Sequence, residues 1–304
     1  MIVTVLGSAN LDLVYEVDRI PAPGETVLSR SASAFPGGKG NNQAVAAARA
    51  GADVRFVVAL GADANGDRLA SEARSAGITL LDRRSEAPTG TAIIFVDRTG
   101  ENSIVVDSGA NATLTGLTGS ERDAIAAADV LVLQLETPIA TVAEAVRTAS
   151  ASGTRTVLNA APSGAVPLDL LAEVDVLVVN EHEAAELASG SAAGEPSSDT
   201  ALLDALTAHG CAVIITLGAA GALVGVPGEA PVRVPSHAVE AVDTTGAGDT
   251  FVGAFAAALR GPALADLVEA TGFATAAAAI AVQRKGAVPS IPMRSEVEAF
   301  RATR

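Results

Sequence analysis

An α/β fold, with a mainly parallel central sheet flanked by helices and a small β-sheet lid over one edge, is predicted by three observations on the 304-residue chain. Short β-branched runs alternate with alanine-rich stretches of helical period, polar residues recur directly behind those runs, and two segments of strand character interrupt the alternation. The runs are IVTVLG (2–7), VRFVVAL (54–60), VLVLQL (130–135), TVLN (156–159), VDVLVV (174–179) and AVIITLG (212–218). Between them, helical periodicity covers 40–50, 63–76, 138–152, 181–188 and 198–209. Near-continuous apolar runs suit strands buried on both faces, so the βαβ rhythm implies three layers.

The polar residues behind the strands carry the first functional expectation. Asn10 and Asp12 follow the first run, Glu136 the third, Asn159 the fourth, Asn180 the fifth, and Thr216 and Gly218 close the last. In a parallel sheet all of these reach one edge, where open α/β sheets bind their ligands. The interrupting segments are LVYEV (13–17) with TVLS (26–29), and TAIIFVDRTGENSIVVD (91–107), a hairpin turning at Arg98–Asn102. They form either a lid over the crevice or a plain surface hairpin. The corresponding division is an α/β domain over 1–11, 37–88 and 108–304, with the lid over 12–36 and 89–107. GSAAGEPSSD (190–199) reads as a loop without evident chemistry.

Composition narrows the partners. With 35 acidic against 20 basic residues and a net charge of −15, the average surface repels nucleic acid and anionic membranes. An anionic ligand therefore requires a local site. The one cysteine, Cys211, heads an apolar run and reads as a buried strand residue, which fits a reducing, cytoplasmic setting. The start MIVTVLGS lacks the basic and apolar regions of a signal peptide, and no uninterrupted apolar run reaches the roughly 18 residues of a membrane helix.

Two glycine-rich segments carry the chemistry. DTTGAGDTF (243–251) runs into a helical stretch, so its free N–H groups and the helix dipole can hold an anion. Two readings are open for Asp249: the N-cap of its own helix, or a proton acceptor beside a phosphate cradled by Gly246, Ala247 and Gly248. FPGGKGNNQ (35–43) leads into a second helix; its glycines permit close backbone approach, and Lys39, Asn41 and Asn42 are donors suited to a polyhydroxylated ligand. An ordinary glycine-rich connection is the other reading. No Walker A sequence occurs, HEAAE (182–186) lacks the second histidine of a zinc peptidase, and no nucleophile elbow is present. Asn180 and Glu183, a strand-end amide followed by a helical carboxylate, suit hydrated Mg²⁺ near nucleotide phosphates.

These segments, with GSANLD (7–12), PAPGET (21–26), GEN (100–102), GANA (109–112), LQLE (133–136), NEHEAAEL (180–187), TLGAAG (216–221) and AAAAIAVQRKGAVPS (276–290), give a chain that resembles the ribokinase family of sugar kinases over essentially its full length. The resemblance implies a ribokinase-like three-layer fold and ATP-dependent phosphorylation of D-ribose at the 5-hydroxyl, giving D-ribose 5-phosphate and ADP. Other acceptors of this chemistry are 2-deoxyribose or a nucleoside, and a non-catalytic sugar-binding sensor is the reading from a different class.

Carried over by position, the resemblance makes Asp249 the catalytic base beside an anion hole of Gly246, Ala247 and Gly248. It places the sugar on Asn10, Asp12, Gly38, Lys39, Asn42, Glu136 and Asp249. ATP falls to Asn180, Thr216, Gly218, Gly221, Gly248 and Thr275, and Mg²⁺, indirectly, to Glu183. An activating K⁺ falls to Asp243, Thr245, Ala281, Arg284, Gly286 and Ser290, several through main-chain carbonyls. Asn41 and Thr245 stand where relatives vary. A homodimer paired through the lid is the implied assembly.

Overall fold

The computed structural model describes residues 1–163, 166–189 and 198–303. Its strands are β1 (Ile2–Leu6), β2 (Asn10–Glu16), β3 (Ser31–Gly37), β4 (Asp53–Gly61), β5 (Thr79–Ser85), β6 (Gly90–Val96), β7 (Asn102–Asp107), β8 (Val130–Leu133), β9 (Arg155–Asn159), β10 (Val176–Asn180), β11 (Ala212–Thr216), β12 (Ala222–Gly225) and β13 (Val232–Val234). Nine of them form one sheet in the order β13-β12-β11-β10-β9-β8-β1-β4-β5, and the other four form a second sheet ordered β3-β2-β6-β7. In the large sheet β1, β4, β5 and β8 to β11 pair in parallel, while β12 is antiparallel to both neighbours.

The apolar runs lack alternation because both faces of the large sheet are covered. Val130 and Val132 of β8 enter one core with Phe251, Phe255 and Phe273, while Leu131 and Leu133 enter the other with Val142, Val146 and Leu187. Neighbouring side chains of one strand thus serve opposite cores, and both must be apolar. Cys211 is buried in the second core and its thiol is pushed up to about 11 by burial, which leaves it an inert packing group. Helix Leu264–Ala281 is long and apolar enough by composition to cross a bilayer, yet 61% of it is buried among the protein's own residues.

Strand order sets the place of the site. The chain winds from β1 outward to β4 and β5, then returns to β8 and winds the other way through β11. The switch between β1 and β8 opens a crevice at their carboxyl ends, flanked by residues 7–10 and 134–136.

One strand assignment is corrected, and two strands, β3 and β5, carry no recognisable strand signal in the sequence. Thr26–Ser29 forms no strand, and Leu28 within it is 89% exposed. The partner of β2 is instead Ser31–Gly37, SASAFPG, whose small residues and Pro36 disguise it. Proline is tolerated there because β3 is an edge strand, and the pairing, not propensity, makes it a strand. The charged sequence TLLDRRS hides β5, the opposite edge of the large sheet; Arg83 pairs with Glu121 and Arg84 with Asp67. Charges are an ordinary protection of an exposed edge. The 91–107 hairpin turns where expected, between β6 and β7. The loop read at 190–199 lies, for 190–197, outside the described residues.

Candidate active site

Helix Ala247–Ala258 begins at Gly246, whose φ of 72° and approach to Ala287, 2.9 Å from where a Cβ would stand, exclude larger residues. Its start presents main-chain donors unevenly. The Ala247 N–H donates to the Thr244 carbonyl at 3.2 Å, whereas those of Gly246 and Gly248 have no partner among the described residues. A Cβ built on Gly248 would meet nothing within 4 Å, so this residue borders open space.

Asp249 is not the cap of its helix. Its Oδ2 accepts from Asn42 Nδ2 and its Oδ1 from Gln43 Nε2, each at 2.9 Å. The two donors belong to helix Lys39–Arg49, which lies against helix Ala247–Ala258 at close range because residue 253 is glycine; a Cβ there would stand 2.4 Å from the Gln43 carbonyl oxygen. Burial raises the pKa of Asp249, opposed by Lys39 and by the two amides, with Glu136 adding a smaller upward push. Behind it, Gln43 Nε2 also donates to Asn159 Oδ1 at 3.0 Å, and Gln43 Oε1 accepts from Gln134 at 2.7 Å.

Lys39, Asn180, Glu183, Thr216, Gly246, Gly248 and Asp249 line one cleft of about 150 Å³ at the carboxyl edge of the sheet. Asn180 and Glu183 cap helix Glu181–Ser189 reciprocally: Glu183 N–H donates to Asn180 Oδ1 at 2.8 Å and Asn180 N–H to Glu183 Oε2 at 2.9 Å. Glu183 Oε1 stays uncommitted among the described residues. Burial raises the Glu183 pKa, opposed by the Asn180 amide and by Lys39.

Asn10 and Glu136 line an adjoining cavity of about 440 Å³ with Asn111 and Val106. Glu136 Oε2 accepts from the Ser8 hydroxyl and, at 3.0 Å, from the Lys39 N–H, which ties the glycine loop to the end of β8. Asn10 Oδ1 accepts from Asn111 Nδ2 at 2.7 Å. A Cβ on Gly38 would lie 2.8 Å from the Ala9 Cα, and one on Gly40 2.6 Å from the Ser8 nitrogen, so the glycines seat this loop on residues 8–9. The Asp12 pKa is raised to about 7, first by burial and then by Glu136 and Asp249.

The remaining expected residues divide. Asp243 accepts from Thr245 N–H at 2.9 Å and Gly286 N–H at 2.8 Å, joining the glycine turn to the segment behind helix Leu264–Ala281. Burial pushes the Asp243 pKa up, but bonds from Thr245 and Gly286 outweigh it and hold the carboxyl below its ordinary range. Ala281 accepts from the Arg284 N–H, and Ser290 from the Arg284 guanidinium, which also pairs with Glu296. Gly218, Gly221 and Thr275 are outside the lining of the 150 Å³ cleft. Gly221 has a tight packing duty, its Cβ position being 2.1 Å from the Val234 carbonyl oxygen, and Thr275 bonds the Gly272 carbonyl within its own helix. Asn41, expected as a ligand donor, lines a separate cavity with Pro36, Arg49 and Glu72, because one helical step of about 100° separates it from Asn42.

Sequence reasoning passed over Ser8, Gln43, Asn111 and Gln134, all buried and all bonded to the expected site residues or to their neighbours. The available signal was a polar residue inside an otherwise apolar segment, such as Gln134 between Leu133 and Leu135.

A doubly wound sheet with a carboxylate beside a glycine-rich helix start, a cavity bearing Asn10, Asn111 and Glu136 and a second open cleft defines a phosphotransferase acting on a small hydroxylated acceptor. The match to the pfkB family carbohydrate kinases spans residues 2–294, and the chain belongs to that family. It is 41% identical to the ribokinase of Haemophilus influenzae over 98% of this chain and 97% of that protein. The ribokinase of Staphylococcus aureus is 39% identical, over 97% and 98%. Among solved structures, ribokinase from Thermotoga maritima superposes with a TM-score of 0.91 at 38% identity, covering 99% of both chains. Arabidopsis thaliana ribokinase complexed with ribose and ATP gives 0.88 at 31%, covering 98% of this chain and 97% of that one.

Proposed function

We propose that this enzyme transfers the γ-phosphoryl group of ATP to the 5-hydroxyl of D-ribose, with Asp249 as the base. The observation that carries the reading is the placement of Asp249: a buried carboxylate held by two amides, directly after the Gly246–Gly248 donors and facing the cleft. Phosphoryl transfer through a loose transition state needs alignment and charge stabilisation more than a strong base. The N–H groups of Gly246 and Gly248 stabilise the transferring oxygens, and Ala247 joins them if its bond to Thr244 opens. Lys39 balances the carboxylates, and Asp249 takes the hydroxyl proton late. Asn10, Asp12, Gly38, Asn42 and Glu136 hold the sugar hydroxyls, while Asn180, Thr216, Gly218, Gly221 and Thr275 flank the nucleotide.

Two ions fit the donors present. Mg²⁺ would be held through water by the uncommitted oxygen of Glu183 and would neutralise phosphate charge. K⁺ would be held by Asp243 and the carbonyls of Thr245, Ala281, Arg284, Gly286 and Ser290, an all-oxygen set of hard donors, and would stiffen the turn carrying the anion-hole amides. Arg284 contributes there through its carbonyl, since a guanidinium has no acceptor atom to offer a cation; here it pairs with Glu296 and Ser290.

A coupled assay of ADP release over ribose, 2-deoxyribose, fructose and adenosine, with and without K⁺, tests the reading. Ribose is expected to give the highest kcat/KM, and K⁺ to raise kcat. Preference for adenosine would overturn the substrate, and equal rates in K⁺-free buffer would remove the ion.

Glu183→Gln isolates the charge, because glutamine preserves the capping box. The Mg²⁺ concentration for half-maximal rate should rise severalfold with the melting temperature nearly unchanged; an unaltered Mg²⁺ dependence refutes the role.

Asp12 predicts a pH effect. Its pKa, 3.8 unperturbed and about 7 here, means the folded protein keeps a proton that the unfolded chain releases between these values. Its contribution to stability is therefore full below about pH 4 and is lost as pH rises through 7. Ribose hydroxyls donate best to the ionised form, so ribose affinity should weaken by up to about tenfold per pH unit below 7. Calorimetric titration from pH 5.5 to 8.5 reads this, and Asp12→Asn should flatten the profile.

The second sheet acts as the lid in this reading, and its exposed Ile104, Val105 and Val106, 52%, 60% and 51% accessible, support a homodimer paired through it. Sedimentation of a monomer at micromolar concentration would remove that assembly. The single buried thiol and the net negative surface support a cytoplasmic enzyme without nucleic-acid or membrane partners.

A further inference from the structure

We propose that Gln43 is a positioning residue for the phosphoryl-transfer reaction, its carboxamide locked by Asn159 so that it must donate to Asp249. This rests on the reading of Asp249 as the base. The lock follows from hydrogen-bond bookkeeping along a buried chain. Asn159 Nδ2 donates to the Val178 carbonyl at 3.1 Å, which leaves Asn159 with only its oxygen, Oδ1, to face Gln43. An oxygen there requires the NH₂ end of Gln43, so Nε2 supplies one proton to Asn159 at 3.0 Å and the other to Asp249 Oδ1 at 2.9 Å. The carbonyl end of Gln43 then accepts from Gln134 Nε2 at 2.7 Å. Reversing the carboxamide would set oxygen against oxygen at both Asn159 and Asp249, whereas Gln134, whose own Oε1 has no partner among the described residues, adapts to either end.

Gln43 and Gln134 are fully buried, and Gln134 is backed by Gly7, where a Cβ would stand 1.9 Å from Gln134 Oε1. No water-exposed alternative therefore exists for the relay. Asn42 already binds Oδ2 from the preceding position of the same helix, so the two amides grip both carboxylate oxygens and fix the plane of the base. The charged groups around Asp249 are Lys39 from the same helix as Gln43, Glu136 from the end of β8, Asp12 from β2 and Glu183 from the helix behind β10. Among the described residues none of them bonds the Gln43 carboxamide, whose partners are Asn159, Asp249 and Gln134, so its effect is separable from theirs.

The chain has three glutamines, at 43, 134 and 283, so side-chain ¹⁵N labelling of glutamine gives three amide pairs, assigned by substituting Gln134 and Gln283 singly. In the wild-type enzyme the Gln43 amide should shift with pH at the same midpoint as the acid limb of kcat, and Asp249→Asn should abolish the shift. A Gln43 amide insensitive to pH across that limb would overturn the proposal. Gln43→Met removes the donor at similar volume. It should lower kcat about 10-fold or more, keep ribose affinity within about threefold, and move the acid limb up by about one pH unit. A fall in kcat with an unmoved limb assigns Gln43 to packing alone. The amide titration decides the matter if Gln43→Met does not fold, and Asp249→Asn with near-normal turnover would sink the base itself, not the relay.

Discussion

Asp249→Asn should lose about 10²–10⁴-fold in kcat while ribose and ATP affinities stay within a few-fold. The substitution is nearly isosteric, but the carboxylate accepts from Asn42 and from Gln43, one on each oxygen, and asparagine has a single acceptor. Its NH₂ must therefore face one of the two amide donors. That mismatch costs about 1–3 kcal/mol, offset in part by relieving a buried charge, so the melting temperature should move by only a few degrees. Steady-state kinetics with a parallel thermal melt tests this. Turnover within a few-fold of the parent would show that the hydroxyl proton leaves by another route.

Gly253→Ala should be damaging although residue 253 touches no ligand. An added methyl would stand 2.4 Å from the Gln43 carbonyl oxygen, 2.5 Å from the Ala46 Cβ and 2.8 Å from the Ala47 nitrogen. Those are backbone and rigid atoms, so the two helices must separate. Overpacking of this kind costs about 1–3 kcal/mol, against which alanine returns about 1 kcal/mol of helix propensity. Separation also draws Asp249 away from Asn42 and Gln43, and a displacement of about 1 Å at a reacting group can cost roughly 100-fold in rate. The expected pair of results is a lower urea midpoint and a kcat reduced by at least tenfold. An unchanged kcat in a folded variant would show that the helix spacing is not what aligns the base.

Both outcomes turn on contacts between residues some 200 positions apart, and they mark the limit of local reading. Runs such as VLVLQL and VDVLVV announce buried parallel strands because each neighbouring pair of side chains must satisfy a different core. SASAFPG could not be read as a strand, since its strand character comes from pairing with β2. TLLDRRS failed for a related reason, its charges suiting the edge it occupies. At the site, the N-cap reading of Asp249 fell only when the fold put Gly246 at the cap and two amides on the carboxylate. Asn41 and Asn42 looked equivalent until helix geometry sent Asn41 to a separate cavity and Asn42 to the Asp249 carboxylate.

The sequence by itself determined the layered α/β architecture, the carboxyl-edge location of the polar groups and the two glycine turns, because periodicity and backbone freedom are local properties. Tertiary structure alone decided which polar groups meet. The amide grip on Asp249, the Glu136 tie to the glycine loop and the raised pKa of Asp12 arise from charges and donors brought together by winding the sheet in two directions from β1. Their energies depend on burial and distance, quantities that no single segment carries.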